Sequence, residues 1–252
     1  RTNSQNIWLK RQKKDVFVKL SKARGYRSRA AYKLIEINKK FKIINQNSKV
    51  IDLGASPGGW TQVAVEEVGE NGFVLGVDLL STSPIEGASV IIGDISENST
   101  LEEISELLGD RNLNTVISDI SPKLTGRYDT DQAISLELST LVMDTAMLIL
   151  TPGGNFVTKI FQGTGIEGLM KAAKQRFSNV QRYAPTASRK SSSETYLICQ
   201  NKLPKVKGEA QGKTAFQQVQ EHLEEIDVLV KKSETEETPM AKGFRKLEKK
   251  EG

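Results

Sequence analysis

Two hydrophobic periods alternate through the middle of the chain. Short apolar runs that end near a carboxylate or a lysine are separated by stretches whose apolar residues recur at every third or fourth position. Residues 49–53, 72–78, 90–94, 114–119, 155–161 and 194–200 read as strands, each short and rich in Val, Ile or Phe. Residues 28–41, 61–67, 101–108, 130–150 and 168–177 read as helices, with Ser28 as a candidate cap of the first and Pro152-Gly153-Gly154 as the stop after the fourth. Strands alternating with helices imply an α/β fold. Its central sheet should be mostly parallel and covered by helices on both faces.

The flanks differ from this core. Residues 7–24 are basic with scattered apolar positions. After Leu203 the apolar pattern fades, then Val219, Leu223, Ile226 and Val230 recur at helical spacing, ahead of a highly charged stretch over 233–252 that reads as mobile. The short helix either packs on the domain or binds a partner. The expected division is a basic nucleic-acid-binding segment over 1–27, a catalytic domain over 28–203 and a charged, partly helical extension over 204–252.

Charge sharpens this division. The net formal charge of +5 over 252 residues is unremarkable, but residues 1–42 hold fourteen Lys/Arg against two acids, and residues 43–201 hold eleven against nineteen. A basic end joined to an acidic domain points to a polyanion handled by one end of the molecule. Arg11, Lys13, Lys14, Lys19, Lys22, Arg24, Arg27 and Arg29 are the candidate phosphate contacts, with Trp8 and Tyr26 available for stacking.

Composition excludes other chemistries. Cys199 is the only cysteine and His222 the only histidine, so an intrachain disulfide, a cysteine zinc cluster and a multi-histidine metal site are ruled out, and no metal is expected. No apolar run approaches the ~18 residues of a membrane span, and the first residues carry no apolar leader pattern. A cytoplasmic protein is expected.

The candidate chemistry gathers at strand ends, where ligands sit in such sheets. Asp52-Leu53-Gly54-Ala55-Ser56-Pro57-Gly58-Gly59-Trp60-Thr61 is a glycine loop after the first strand. Its spacing matches a triphosphate loop, but Trp60 stands where the lysine should be. The three-glycine dinucleotide pattern is also absent. A loop without phosphate chemistry, followed by Asp78 at the next strand end, suits a nucleoside whose ribose diol donates to a carboxylate. S-adenosylmethionine is such a molecule, and Asp94 could accept from an adenine amino group. A tight turn with capping acids is the plainer alternative. Lys159 stands apart because it interrupts an apolar strand, where a lysine is costly unless it has work to do.

Several ordered motifs then become familiar: Ser28-Arg29-Ala30-Ala31-Tyr32-Lys33-Leu34, the glycine loop, Asp119-Ile120-Ser121-Pro122, Val157-Thr158-Lys159-Ile160-Phe161-Gln162-Gly163, and Ser188-Arg189 followed by Ser193-Glu194-Thr195-Tyr196. Together, over about residues 15–201, they resemble the FtsJ (RrmJ-like) family of S-adenosylmethionine-dependent RNA ribose 2′-O-methyltransferases. The resemblance implies a Rossmann-like methyltransferase fold and a catalytic tetrad of Lys33, Asp119, Lys159 and Glu194. It implies cofactor contacts at Gly58, Trp60, Asp78, Asp94 and Asp119, to which the loop residues Asp52, Gly54, Pro57 and Gly59 are added. Arg189 is a further candidate RNA contact. Lys159 is expected to be the base, with Asp119 positioning it and Lys33 and Glu194 placing the 2′-hydroxyl. The expected substrate is a uridine of large-subunit ribosomal RNA, within the subunit. A transfer-RNA methyltransferase and a noncatalytic ribosome-assembly factor of the same fold are the alternatives. Ser56 departs from the family's common Ala, and the extension after Leu203 falls outside its pattern.

Overall fold

A computed structural model describes residues 15–122, 125–188 and 194–235. Seven strands form one sheet: β1 (Lys49–Leu53), β2 (Phe73–Asp78), β3 (Ser89–Ile92), β4 (Thr115–Ser118), β5 (Asn155–Phe161), β6 (Phe177–Tyr183) and β7 (Glu194–Lys202). Their order is β3-β2-β1-β4-β5-β7-β6. The first five are mutually parallel, and β7 and β6 are antiparallel additions at one edge.

Among the described residues, seven α-helices accompany them: α1 (Val16–Arg24), α2 (Ala31–Phe41), α3 (Gly59–Val68), α4 (Asn98–Leu108), α5 (Tyr128–Ile149), α6 (Ile166–Lys174) and α7 (Ala215–Thr235). Strand alternation sends consecutive side chains to opposite faces. Val50, Ile117, Val157 and Ile198 pack under α2 and α3, while their neighbours Ile51, Val116, Phe156 and Leu197 pack under α4, α5 and α6. Both faces are therefore covered, as a parallel sheet requires. Helix α5 is long and apolar enough to resemble a membrane span, but Leu136, Val142, Met143 and Ala146 are buried in the second of these cores.

Two expectations are corrected. Ser28 does not cap α2. The helix opens at Ala31, and its N-cap Ala30 makes no side-chain cap bond; the Ala30 carbonyl instead accepts from Trp60 Nε1 at 2.9 Å. The predicted helix over 168–177 ends at Lys174, and Phe177 opens β6, an edge strand absent from the sequence reading. Its exposed Ser178, Asn179 and Arg182 leave no hydrophobic alternation to detect. In the described part of the basic segment, α1 packs against α2, with Phe17 and Tyr32 ring centroids 5.4 Å apart. Helix α7 packs on α5 and α6 through buried Ala215 and Val219. Its amide ends at Ala215 and Phe216 donate to the Asp144 carboxylate of α5. The Val230 side chain and residues 236–252 lie outside the described residues, as do Arg11, Lys13, Lys14, Trp8 and Arg189.

Candidate active site

The glycine loop joins β1 to α3 and folds over the end of β2. Gly54 and Ala55 amides donate to the Val77 carbonyl at 2.8 and 3.1 Å. Gly58 has φ +111°, and a Cβ there would lie 2.6 Å from Ile85 Cδ1 and 3.1 Å from Arg27 Cδ. Only glycine fits that backbone and that space. The loop is thus a shallow cradle with an acid at each side. Asp78, the last residue of β2, accepts from Ser56 N at 2.9 Å and Leu80 N at 2.8 Å, one on each oxygen. Each oxygen keeps a second lone pair, so a ribose diol fits. Asp94 lies just past β3 and accepts from the Ser96 amide and hydroxyl. Those bonds hold its carboxyl below the usual range. Gly59 opens α3, and the first-turn amides of that helix have no intrahelical acceptors.

Two predicted contacts take other positions. Asp52 is fully buried in β1. Its Oδ2 accepts from Thr61 Oγ1 at 2.7 Å, and Oδ1 has no hydrogen-bond partner. Burial pushes its carboxyl up to about 7, against the Thr61 bonds and with the help of Asp119 and Asp78. It supports the loop from beneath. The Trp60 side chain is 3% exposed and stacks on Tyr196, with centroids 5.5 Å apart. Only the Trp60 backbone is left to face the cradle.

The four expected tetrad residues meet beside this cradle. Lys159 on β5 is 5% exposed; its Nζ lies 2.8 Å from the Asp119 carbonyl oxygen, 3.1 Å from Asp119 Oδ1 and 4.0 Å from Glu194 Oε1. Lys33 on α2 reaches Glu194 Oε2 at 3.1 Å. Strand pairing explains the assembly. Lys159 pairs with Tyr196 and Phe161 with Glu194, and Glu194 and Tyr196 share one face as alternate residues of β7. Tyr196 is a component the sequence reading did not single out. Its hydroxyl donates to Asp119 Oδ1 at 2.5 Å, and the Lys33 ammonium sits 5.6 Å from its ring centroid. Burial and the Asp119 charge push the phenol far above its ordinary range, so it remains a donor. The chain thus sets a buried amine, two carboxylates and a second ammonium next to a nucleoside cradle.

The family profile described as FtsJ-like methyltransferase matches residues 26–202. The chain belongs to the FtsJ-like methyltransferase family. Members of this family take their methyl group from S-adenosylmethionine, which the cradle and its acids fit. Among curated relatives, Ribosomal RNA large subunit methyltransferase E of Acidiphilium cryptum is 44% identical over 195 residues, 77% of this chain and 85% of that protein. The enzyme of the same name from Methanothrix thermoacetophila is 47% identical over 190 residues, 75% of this chain and 73% of its own. A solved structure described as a ribosomal RNA methyltransferase from Plasmodium falciparum has a TM-score of 0.64 and 31% identity, covering 71% of this chain and 99% of that one. The match to the FtsJ-like profile ends with β7, so α7 and the extension lie beyond it.

The candidate RNA contacts divide. Lys19, Lys22 and Arg24 are exposed on α1. Arg27 and Arg29 are not free for phosphate. The Arg27 guanidinium donates to the carbonyls of Pro57, Ser83 and Pro84, which clamps the glycine loop to the β2–β3 loop. Arg29 pairs with Asp15 at 2.5 Å and donates to the Ala187 carbonyl. A basic count along the sequence cannot distinguish a solvated guanidinium from one spent on carbonyls.

Proposed function

We propose that this FtsJ-like methyltransferase transfers the methyl group of S-adenosylmethionine to a ribose 2′-hydroxyl of RNA, with a uridine of large-subunit ribosomal RNA in the assembled subunit as acceptor. The observation that carries the reading is the meeting of Lys33, Asp119, Lys159 and Glu194 within one network beside the glycine cradle. The names of the relatives supply the ribosomal substrate. On this reading the protein acts in the cytoplasm.

Gly54, Pro57, Gly58, Gly59 and the Trp60 backbone line the cradle, Asp78 takes the ribose diol, and Asp94 takes the base. Bound there, the cofactor presents a sulfonium-activated methyl carbon. The methyl group so supplied would pass to the acceptor oxygen with loss of its bond to sulfur, and the hydroxyl proton would pass to Lys159 Nζ. Asp119 aims Nζ through its carbonyl and carboxylate oxygens, and Tyr196 fixes that carboxylate in turn. Lys33, held by Glu194, donates to the hydroxyl oxygen and orients it. Such orientation contributes several kcal/mol to an in-line displacement. A general base acts in its unprotonated form, so the transfer rate should rise with pH.

The test is methyl transfer from labelled cofactor to large subunits, free ribosomal RNA and tRNA, with the modified nucleotide mapped. Transfer to tRNA alone would overturn the ribosomal substrate. A rate that stays flat from about pH 6 to about pH 10, with Lys159→Ala near wild type, would remove Lys159 as the base.

A further inference from the structure

One face of α2 and the turn before it carries Arg29, Lys33 and Glu36, spaced by four and three residues so that they project together. Lys33 holds Glu194, the first residue of β7. The other two hold the chain where it leaves β6. The Glu36 carboxylate accepts from Tyr183 Oη at 2.6 Å, from Thr186 N at 2.9 Å on both oxygens, and from Thr186 Oγ1 at 2.7 Å. Arg29 Nη2 donates to the Ala187 carbonyl, while Nη1 pairs with Asp15. Asp15 is in turn the N-cap of α1, accepting from Phe17 N at 3.1 Å. One helix face therefore grips both ends of the β6–β7 connection, and its guanidinium also grips the start of the basic helix.

We propose that Arg29 is a positioning residue that couples the basic helix α1 to the chain leaving β6, so that RNA docked on α1 bears, through Tyr183 and its pairing with Tyr196 and Thr195, on the start of β7 that carries Glu194. The proposal rests on the RNA-methyltransferase reading above. The geometry favours coupling over direct phosphate contact. Both side chains of the Arg29–Asp15 pair are largely buried, at 17% and 13% exposure, so the pair is shielded from salt and already occupied. The planar fork allows one guanidinium to bridge two elements, which a lysine cannot reproduce. Glu36 strengthens the same corner. Burial alone would raise its carboxyl, but the Tyr183, Thr186 and Ala187 donors outweigh burial and hold it below the usual range, so it stays ionised. Arg29 Nε, Tyr32 Oη and Ser188 Oγ are buried there without hydrogen-bond partners. The corner is thus held by a few strong charged contacts rather than by full polar saturation, and it should loosen when one of them is removed.

The experiment compares wild type with Arg29→Ala, Arg29→Lys and Asp15→Asn. Asparagine keeps the N-cap of α1 but removes the ion pair. Hydrogen exchange at residues 183–188 is read alongside steady-state methyl transfer. In Arg29→Ala, exchange there should quicken about 10-fold or more, and kcat should fall about 10-fold because Glu194 is misplaced. Cofactor affinity and the salt slope of RNA binding should be unchanged. Asp15→Asn should move both readouts the same way by less, and Arg29→Lys should fall between Arg29→Ala and wild type. Unchanged exchange at 183–188 in Arg29→Ala would overturn the proposal. So would an unchanged kcat with a salt slope lowered by about 1, which marks a phosphate contact. If Arg29→Ala fails to fold, Asp15→Asn decides, and wild-type exchange and kcat in that variant overturn the coupling. Absence of methyl transfer by the wild type would defeat the functional reading instead, while the exchange comparison still tests the contact.

Discussion

At the scale of single residues, position within a strand decides what a carboxylate does. Asp78 closes β2, Asp94 follows β3 and Asp119 follows β4, so all three reach past the sheet. Asp52 precedes Leu53 inside β1 and shares the Val50 face, which α3 covers. The sequence showed an acid before a glycine loop but not that Thr61 of α3 closes over it. Lys159 was legible because a lysine in an apolar strand breaks the pattern; Tyr196 was not, because a tyrosine in a strand reads as ordinary packing. The buried Asp52 carboxyl has a consequence for stability. It is pushed up to about 7, whereas an unfolded aspartate releases its proton near 3.8. Between these values the native state binds the extra proton, so this group's contribution to stability falls as pH rises and is flat above the window. Glu36 and Asp94 are shifted down, so their contributions run the other way, present at neutral pH and lost on acidification. The difference between wild type and Asp52→Asn isolates the first effect. Urea unfolding across about pH 4 to about pH 8 should show wild type losing stability relative to Asp52→Asn. A constant difference would mean that Asp52 titrates at its ordinary value.

At the scale of elements, the five parallel strands and their helices were legible from period alone, because each buries one or both faces. Strand β6 was not, since an edge strand with polar outward residues needs no hydrophobic alternation. The start of α2 was misread for a related reason: the turn before it is fixed by tertiary contacts, from Trp60 to Ala30 and from Arg27 to the facing loops. Arg27 therefore braces the glycine loop. Its backbone amide donates to Gln62 Oε1 at 2.9 Å, and its guanidinium joins the Pro57 carbonyl to Ser83 and Pro84. Removing it should free the β2–β3 loop from the cradle. Arg27→Ala should weaken S-adenosylmethionine binding about 10-fold, the scale of losing charge-assisted bonds to carbonyls. Calorimetric titration with the cofactor and salt-dependent RNA binding, measured on the same variant, separate the two roles. A lowered RNA salt slope with unchanged cofactor affinity would return Arg27 to the RNA side.

At the scale of the molecule, the charge division remains but its geometry changes. Among the described residues, several of the cations of 15–42 are already engaged. Lys33 is buried in the tetrad network, Arg27 and Arg29 are spent on carbonyls and Asp15, and α1 lies against α2. Among the described candidates, Lys19, Lys22 and Arg24 present their charge to solvent from one short helix. If α1 is the docking face, each neutralised cation should remove one counterion-release event from RNA binding. For a single-stranded target, the triple variant Lys19→Ala, Lys22→Ala, Arg24→Ala should lower the slope of log affinity against log salt by about 2. Lys22 and Arg24 also sit in the last turn of α1, where positive charge complements the helix dipole, so exchange protection of that helix must be followed in parallel. A slope that stays at the wild-type value while α1 remains folded would mean that the phosphate backbone runs elsewhere on the molecule, away from the helix that Arg29 joins to the active site.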